Sequence, residues 1–274
     1  MAEKISKIRN IGVYETALKD GTPSFRASIT HGGKHISLGS FSDANTAAVV
    51  YKEARHILSD PDFVVSSYNS NMYLPFDKCV CLINFRDKGM YISNPIYLEK
   101  KYFFYYLSPT LVYKFDIEDL FYYSSHKIMK RGRHLFVADY GSQLSVLARY
   151  GIKSYAVEGR DYRFANDDST DLRYENIIIL NRYRGVMQFA EKGFIRYKSV
   201  IHVKSNYVIG KYNTEAEAAI AYNKAADILK KNGIKKNFQL NYVEDLSPSQ
   251  YADIYTKLKV STKIYELQQT PRST

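Results

Sequence analysis

A chain of 274 residues with 45% hydrophobic content has room for two or three small domains and enough apolar material for their cores, which excludes wholesale disorder. Its net charge of +11 and pI near 9.3 point to a polyanionic partner, nucleic acid above all. No apolar run is long enough to span a bilayer, and the start MAEKISKIRNIGVYE lacks the apolar stretch of a secretory signal, so a cytoplasmic location without a membrane partner is expected.

The first patterned segment runs from Gly12 to Leu58. Phe25, Ala27 and Ile29 alternate with Arg26, Ser28 and Thr30, the period of a half-buried strand, and Ile36 and Leu38 continue the pattern. Ala44, Ala47, Ala48, Tyr51 and Ala54 then fall at helical spacing, with Ser42 as the expected N-cap. Three short strands followed by one helix are predicted. Ser66 to Asn71, SSYNSN, reads as a linker.

From Tyr73 to Phe115 apolar and polar residues alternate between turn signals at Asp87-Lys88-Gly89 and Asn94-Pro95, which predicts strands. Cys79 and Cys81 would then share a face as free thiols, since two such ligands make neither a zinc site nor a disulfide framework. Tyr102 to Tyr106 reads as core or edge strand rather than a base-stacking platform. The basic HKIMKRGRH, residues 126–134, reads as a solvated hairpin turn within reach of phosphate.

The stretch RFANDDSTDLRYENI, residues 163–177, is polar and acidic in a basic chain. After it the first pattern returns. Gly185-Val186 repeats Gly12-Val13, and Ile209-Gly210-Lys211-Tyr212 repeats Leu38-Gly39-Ser40-Phe41. From that glycine the spacings are identical: Ala47 and Ala218 lie eight residues on, Tyr51 and Tyr222 twelve, Ala54 and Ala225 fifteen. Thr214 is the expected cap of the second helix. The tail opens with Ser247-Pro248, an N-cap and first-turn proline, and an amphipathic pattern from Tyr251 to Leu267. It is expected to pack back onto the second repeat, with a homodimer contact as the alternative.

Charge is uneven. Residues 182–236 hold 12 basic and 4 acidic side chains, whereas residues 1–60 hold 8 and 6. Phosphate attraction should concentrate in the second repeat.

Both repeats resemble the apetala/ethylene-response-factor DNA-binding domain, through Tyr183-Arg184-Gly185-Val186, the Gly-x-aromatic signature and the Ala-Ala-x-x-Tyr-x-x-Ala helix. The resemblance implies that outward strand residues touch bases and phosphates of double-stranded DNA. Carried over, these are Tyr14, Thr16, Arg26, Ser28, Thr30, His35 and Ser37 in the first copy. In the second they are Arg184, Met187, Phe189, Arg196, Lys198, His202 and Asn206.

The stretch from His134 to Asn181 resembles the HNH endonucleases of self-splicing introns and phage genomes, many of which also carry an apetala-like domain. Asn166, Asp168, Asp171, Arg173, Glu175 and Asn176 match the family loop. Phe164 stands where the family has its general-base histidine, Arg163 where it has a metal-binding acid, and Leu172 where an asparagine orients the base. Phe offers no lone pair, Leu no hydrogen bond, and Arg repels a cation, so no catalytic residue, metal or cofactor is expected.

The expected fold is α+β: sheet-plus-helix modules at 1–65 and 182–274 flanking a degenerate ββα-metal, HNH-like domain at 66–181. The expected function is a DNA-binding transcriptional regulator, a repressor derived from a phage or mobile-element homing endonuclease. The alternative is an active nuclease with a metal site rebuilt around His134, Asp161, Asp167 and Asp168.

Overall fold

A computed structural model describes residues 12–268. Residues 1–11, with most of the start read above for a secretory signal, and residues 269–274 lie outside the described residues. The protein is a mixed α+β chain with several small three-stranded antiparallel sheets and, among the described residues, six α-helices. No described helix is long and apolar enough to cross a membrane. The chain divides into two compact units, one of residues 1–146 and 168–174, the other of residues 147–167 and 175–274.

The first unit begins with β1 (Val13–Ala17), β2 (Pro23–His31) and β3 (Lys34–Phe41), an antiparallel sheet, followed by α1 (Ala44–Ser59). The helix starts one residue later than expected. Asp43, not Ser42, is the cap, its carboxylate accepting from the Thr46 amide at 2.8 Å. Ala47, Val50, Ala54 and Ile57 turn to the sheet and meet Ala27, Ile29, Ile36 and Leu38.

Phe76–Lys88, read as strand, is a helix, α2, closed by Gly89 in the left-handed region. Seven consecutive residues, Cys79 to Phe85, are buried, and Leu74, Cys79, Leu82, Ile83 and Phe85 join the core of the first module. The stretch between α1 and α2 is therefore tied down rather than a loose linker. Arg86 donates to the carbonyls of Ile57 at 2.9 Å, Phe63 at 3.0 Å and Asp60, and Glu53 accepts from the Tyr73 and Leu74 amides. A boundary drawn at residue 65 cuts through this packing. On a helix, two residues separated by one point to opposite sides. Accordingly Cys79 enters the module core, while the Cys81 thiol donates to the carbonyls of Ser93 and Asn94. Both are free and buried, and burial pushes each thiol up to about 12.

Strands do follow: β4 (Ile96–Leu98), β5 (Tyr102–Ser108) and β6 (Leu111–Asp116) form a second sheet, leading into α3 (Leu120–Ser125). Alternation divides the aromatic cluster. Phe103 and Tyr105 are buried with Phe115 and Tyr123, whereas Tyr102, Phe104 and Tyr106 are half-buried on the opposite face. A third sheet closes the unit: β7 (Ile128–Arg131), β8 (His134–Asp139) and β9 (Ser142–Ser145).

The second unit holds the short pair β10 (Tyr162–Phe164) and β11 (Ile177–Ile179), then β12 (Val186–Glu191), β13 (Phe194–His202), β14 (Asn206–Tyr212) and α4 (Glu215–Lys231). Thr214 caps α4 with Glu217 in a reciprocal box, as the sequence suggests. Its buried Ala218, Ala221 and Ala225 stand at the positions of Ala47, Val50 and Ala54 in α1. The tail forms α5 (Pro248–Lys257), capped by Ser247, and α6 (Thr262–Glu266). It packs onto the second module through Tyr251, Ile254 and buried Ile264. Lys224 donates to the carbonyls of Tyr255 and Leu258 at 2.7 Å each, closing the C-terminal end of α5.

Candidate nucleic-acid interface

The repeated signatures have a shared steric cause. Gly12 and Gly185 sit at φ of +81° and +71°, and a Cβ on either would run into the ring of Tyr51 or Tyr222. Their carbonyls accept from Ser28 and Val200, at 2.9 and 2.7 Å. Both sheets shift register at the same place, after Ala27 and after Ser199, where Leu38 or Ile209 is the extra residue. Beside that bulge, a Cβ on Gly39 would lie 3.0 Å from Phe41, and one on Gly210 2.5 Å from the Tyr212 hydroxyl. Glycine, bulge, aromatic and helix tyrosine therefore form one interlock, built twice.

That register decides which side chains share the face away from the helix. In the first module Tyr14, Arg26 and Ser40 form one cross-strand row, Thr16 and Ser24 another, Ser28 and Ser37 a third, and Thr30 and His35 the last. In the second the corresponding rows are Met187, Lys198 and Lys211; Phe189 and Arg196; Val200 and Val208; His202 and Asn206. Even the last row repeats its contact: Thr30 Oγ1 and His35 Nδ1 are 3.3 Å apart, His202 Nδ1 and Asn206 Oδ1 3.0 Å. The structure thus brings together on each face all the residues singled out in the sequence except Arg184. Ser28 belongs to its row but is only 8% exposed, too enclosed for a large contact.

Arg184 lies outside the second face. It precedes the Gly185 turn, and its guanidinium stacks 4.2 Å from the Tyr155 ring centroid and donates to Gln239 at 2.6 Å. Its backbone is held by Asn241, itself bonded to buried Asn223. Arg184 orders this unit's interior. Conversely, sequence reading passed over Ser40 and Lys211, the x of each Gly-x-aromatic signature; alternation beyond the bulge would have found them. It also passed over Glu191, which pairs with Lys211 and lies 3.8 Å from Arg196. The hydrogen bond from Lys211 holds that carboxylate below its usual range.

The nuclease-like stretch is distributed over both units. Phe164 is 5% exposed in β10, against Tyr162. The Asn176 side chain accepts from the Asn166 amide at 2.9 Å, and the Asn176 carbonyl from the Ala165 amide. No α-helix follows β11 before β12. In the first unit, residues 168–174 add onto β6: Lys114 donates its amide to Thr170, and Leu172 returns its amide to Lys114. Leu172 is 1% exposed. Asp168 accepts from the Thr170 amide and hydroxyl, and Asp171 holds Arg173 at 2.7 Å. Burial raises the Asp171 carboxyl, and hydrogen bonds from Arg173 outweigh it, leaving the group below its ordinary value. Asp161, in the second unit, accepts from the Val157 amide at 2.8 Å. These carboxylates shape turns, and among the described residues no three His, Cys, Asp or Glu side chains converge on a metal position.

No family model, curated protein or solved structure matches the chain.

Proposed function

We propose that the protein is a sequence-specific double-stranded DNA-binding protein, a transcriptional repressor descended from an HNH homing endonuclease and without its nuclease activity. One observation carries the reading: two sheets of the same construction each leave one face clear of their helix, and cross-strand rows at equivalent positions place Arg26, Thr30 and His35 on one clear face and Arg196, Lys198, Lys211, His202 and Asn206 on the other. Sheet faces can read DNA by laying strands in a groove, where such side chains meet base edges while the cations meet phosphates. Phe164 and Leu172, buried and without proton-transfer or hydrogen-bonding groups, support the loss of hydrolysis. A protein that binds its site without cutting it occupies that site, which is the action of a repressor.

The test is selection from a random duplex pool, followed by incubation of the selected duplex with magnesium, manganese or zinc. Enrichment of one sequence and an intact duplex are expected. Cutting that persists through further purification and is abolished by a chelator would establish the active-nuclease alternative. No enrichment would refute the reading.

A further inference from the structure

The first unit poses a difficulty for any polyanion partner, because among the described residues the clear face of its module carries Arg26 as its only Lys or Arg. The third sheet of that unit resolves it. Two-residue turns at Gly132-Arg133 and Tyr140-Gly141 join its strands, and the register makes it two-faced. Ile128 and Val137, 1% and 2% exposed, face inward. Met129, Arg131, His134, Phe136 and Gln143 share the other face, with the Arg131 guanidinium over the Phe136 ring at 5.7 Å. Residues 127–134 contain Lys127, Lys130, Arg131 and Arg133 and no acidic residue. Lys127 reaches Asp77 at 3.7 Å, while Lys130, Arg131 and Arg133, all exposed, make no ion pair with any described residue.

We infer that the β7–β8 hairpin is a third DNA contact, gripping the phosphate backbone of the same duplex through Lys130, Arg131 and Arg133. This rests on the duplex-binding reading above. Three exposed cations cluster at the β7–β8 turn, Arg131 on the clear face, Arg133 in the turn and Lys130 on the side of Ile128, and each that meets a phosphate releases condensed counterion from the duplex. The hairpin supplies the first unit with the sequence-independent attraction that its module face lacks, and leaves that face to set register.

The experiment uses the full chain and its selected duplex, and measures affinity across a salt series. The triple variant Lys130→Ala/Arg131→Ala/Arg133→Ala should flatten the slope of log affinity against log salt by roughly two to three units and keep the preferred sequence. Arg131→Lys/Arg133→Lys should stay within one unit of the parent, and the exposed pair Lys100→Ala/Lys101→Ala should change it by less than the triple variant does. Circular dichroism of each variant checks the fold; should the triple variant unfold, Arg131→Gln/Arg133→Gln takes its place, with an expected flattening of about two units. An unchanged slope in the folded hairpin variant, with the parent binding normally, overturns the hairpin contact alone. An equal effect from the Lys100/Lys101 variant overturns it too, in favour of diffuse charge. Failure of the parent to bind duplex, or binding only to RNA, overturns both readings.

Discussion

The two sheet-plus-helix modules share a skeleton and differ in what they display on it. Glycine before the first strand, bulge after Ala27 or Ser199, aromatic two residues past the second glycine and helix tyrosine coincide position by position. The displayed faces do not. Where the first carries Tyr14, Arg26 and Ser40 in a row, the second carries Met187, Lys198 and Lys211; where the first has Thr16 and Ser24, the second has Phe189 and Arg196. The skeleton is fixed by sterics that tolerate few residues, while the face is free to diverge. On the proposed DNA-binding reading, two modules with one diverging surface suit two different half-sites better than a symmetric one.

The largest expected effects break the shared part. Gly12→Ala and Gly185→Ala each force a left-handed backbone onto alanine and drive a methyl group into a tyrosine ring, so each should cost about 2–4 kcal/mol in urea unfolding of its own unit. An effect on only one module would mean that the interlock is not equivalent. Next come the faces. Neutralising Arg196, Lys198 and Lys211 together should flatten the salt dependence of DNA binding by about three units, against about one for Arg26→Ala. Equal slopes would erase the division of labour.

Arg184→Ala sharpens the comparison by separating scaffold from face. Loss of the Tyr155 stacking and the Gln239 hydrogen bond should lower stability by about 1 kcal/mol, with the salt slope unchanged. The smallest effect is a null one. With both thiols pushed up to about 12, thiolate is scarce at pH 8, so native protein should resist alkylation at Cys79 and Cys81, and urea should expose both. Rapid labelling of native protein would show that α2 opens.

Legibility in the sequence followed how local each cause is. The modules were readable because their interlock recurs at fixed spacing, and Thr214 and Ser247 announce their helices in one residue each. The α2 helix was not. Burial of Cys79 to Phe85 on all sides removes the one-sided stripe that marks a surface helix, and the remaining apolar-polar alternation imitates a strand. Ser42 and Asp43 are adjacent capping residues, and only the backbone geometry selects Asp43. Arg184 was placed on the face by its motif, yet the turn that Gly185 requires aims it elsewhere. The nuclease-like stretch was readable as a string but not as a place, because its residues serve hydrogen bonds in two different units.

Footprinting of the full chain on its selected duplex tests the central claim most directly. Two separated blocks of protection are predicted, one for each clear sheet face. Inserting about five base pairs, half a helical turn, between them should rotate one block away and cost most of the affinity gained by tethering, roughly 10²–10⁴. A single block, or affinity unaffected by the insertion, would contradict the account.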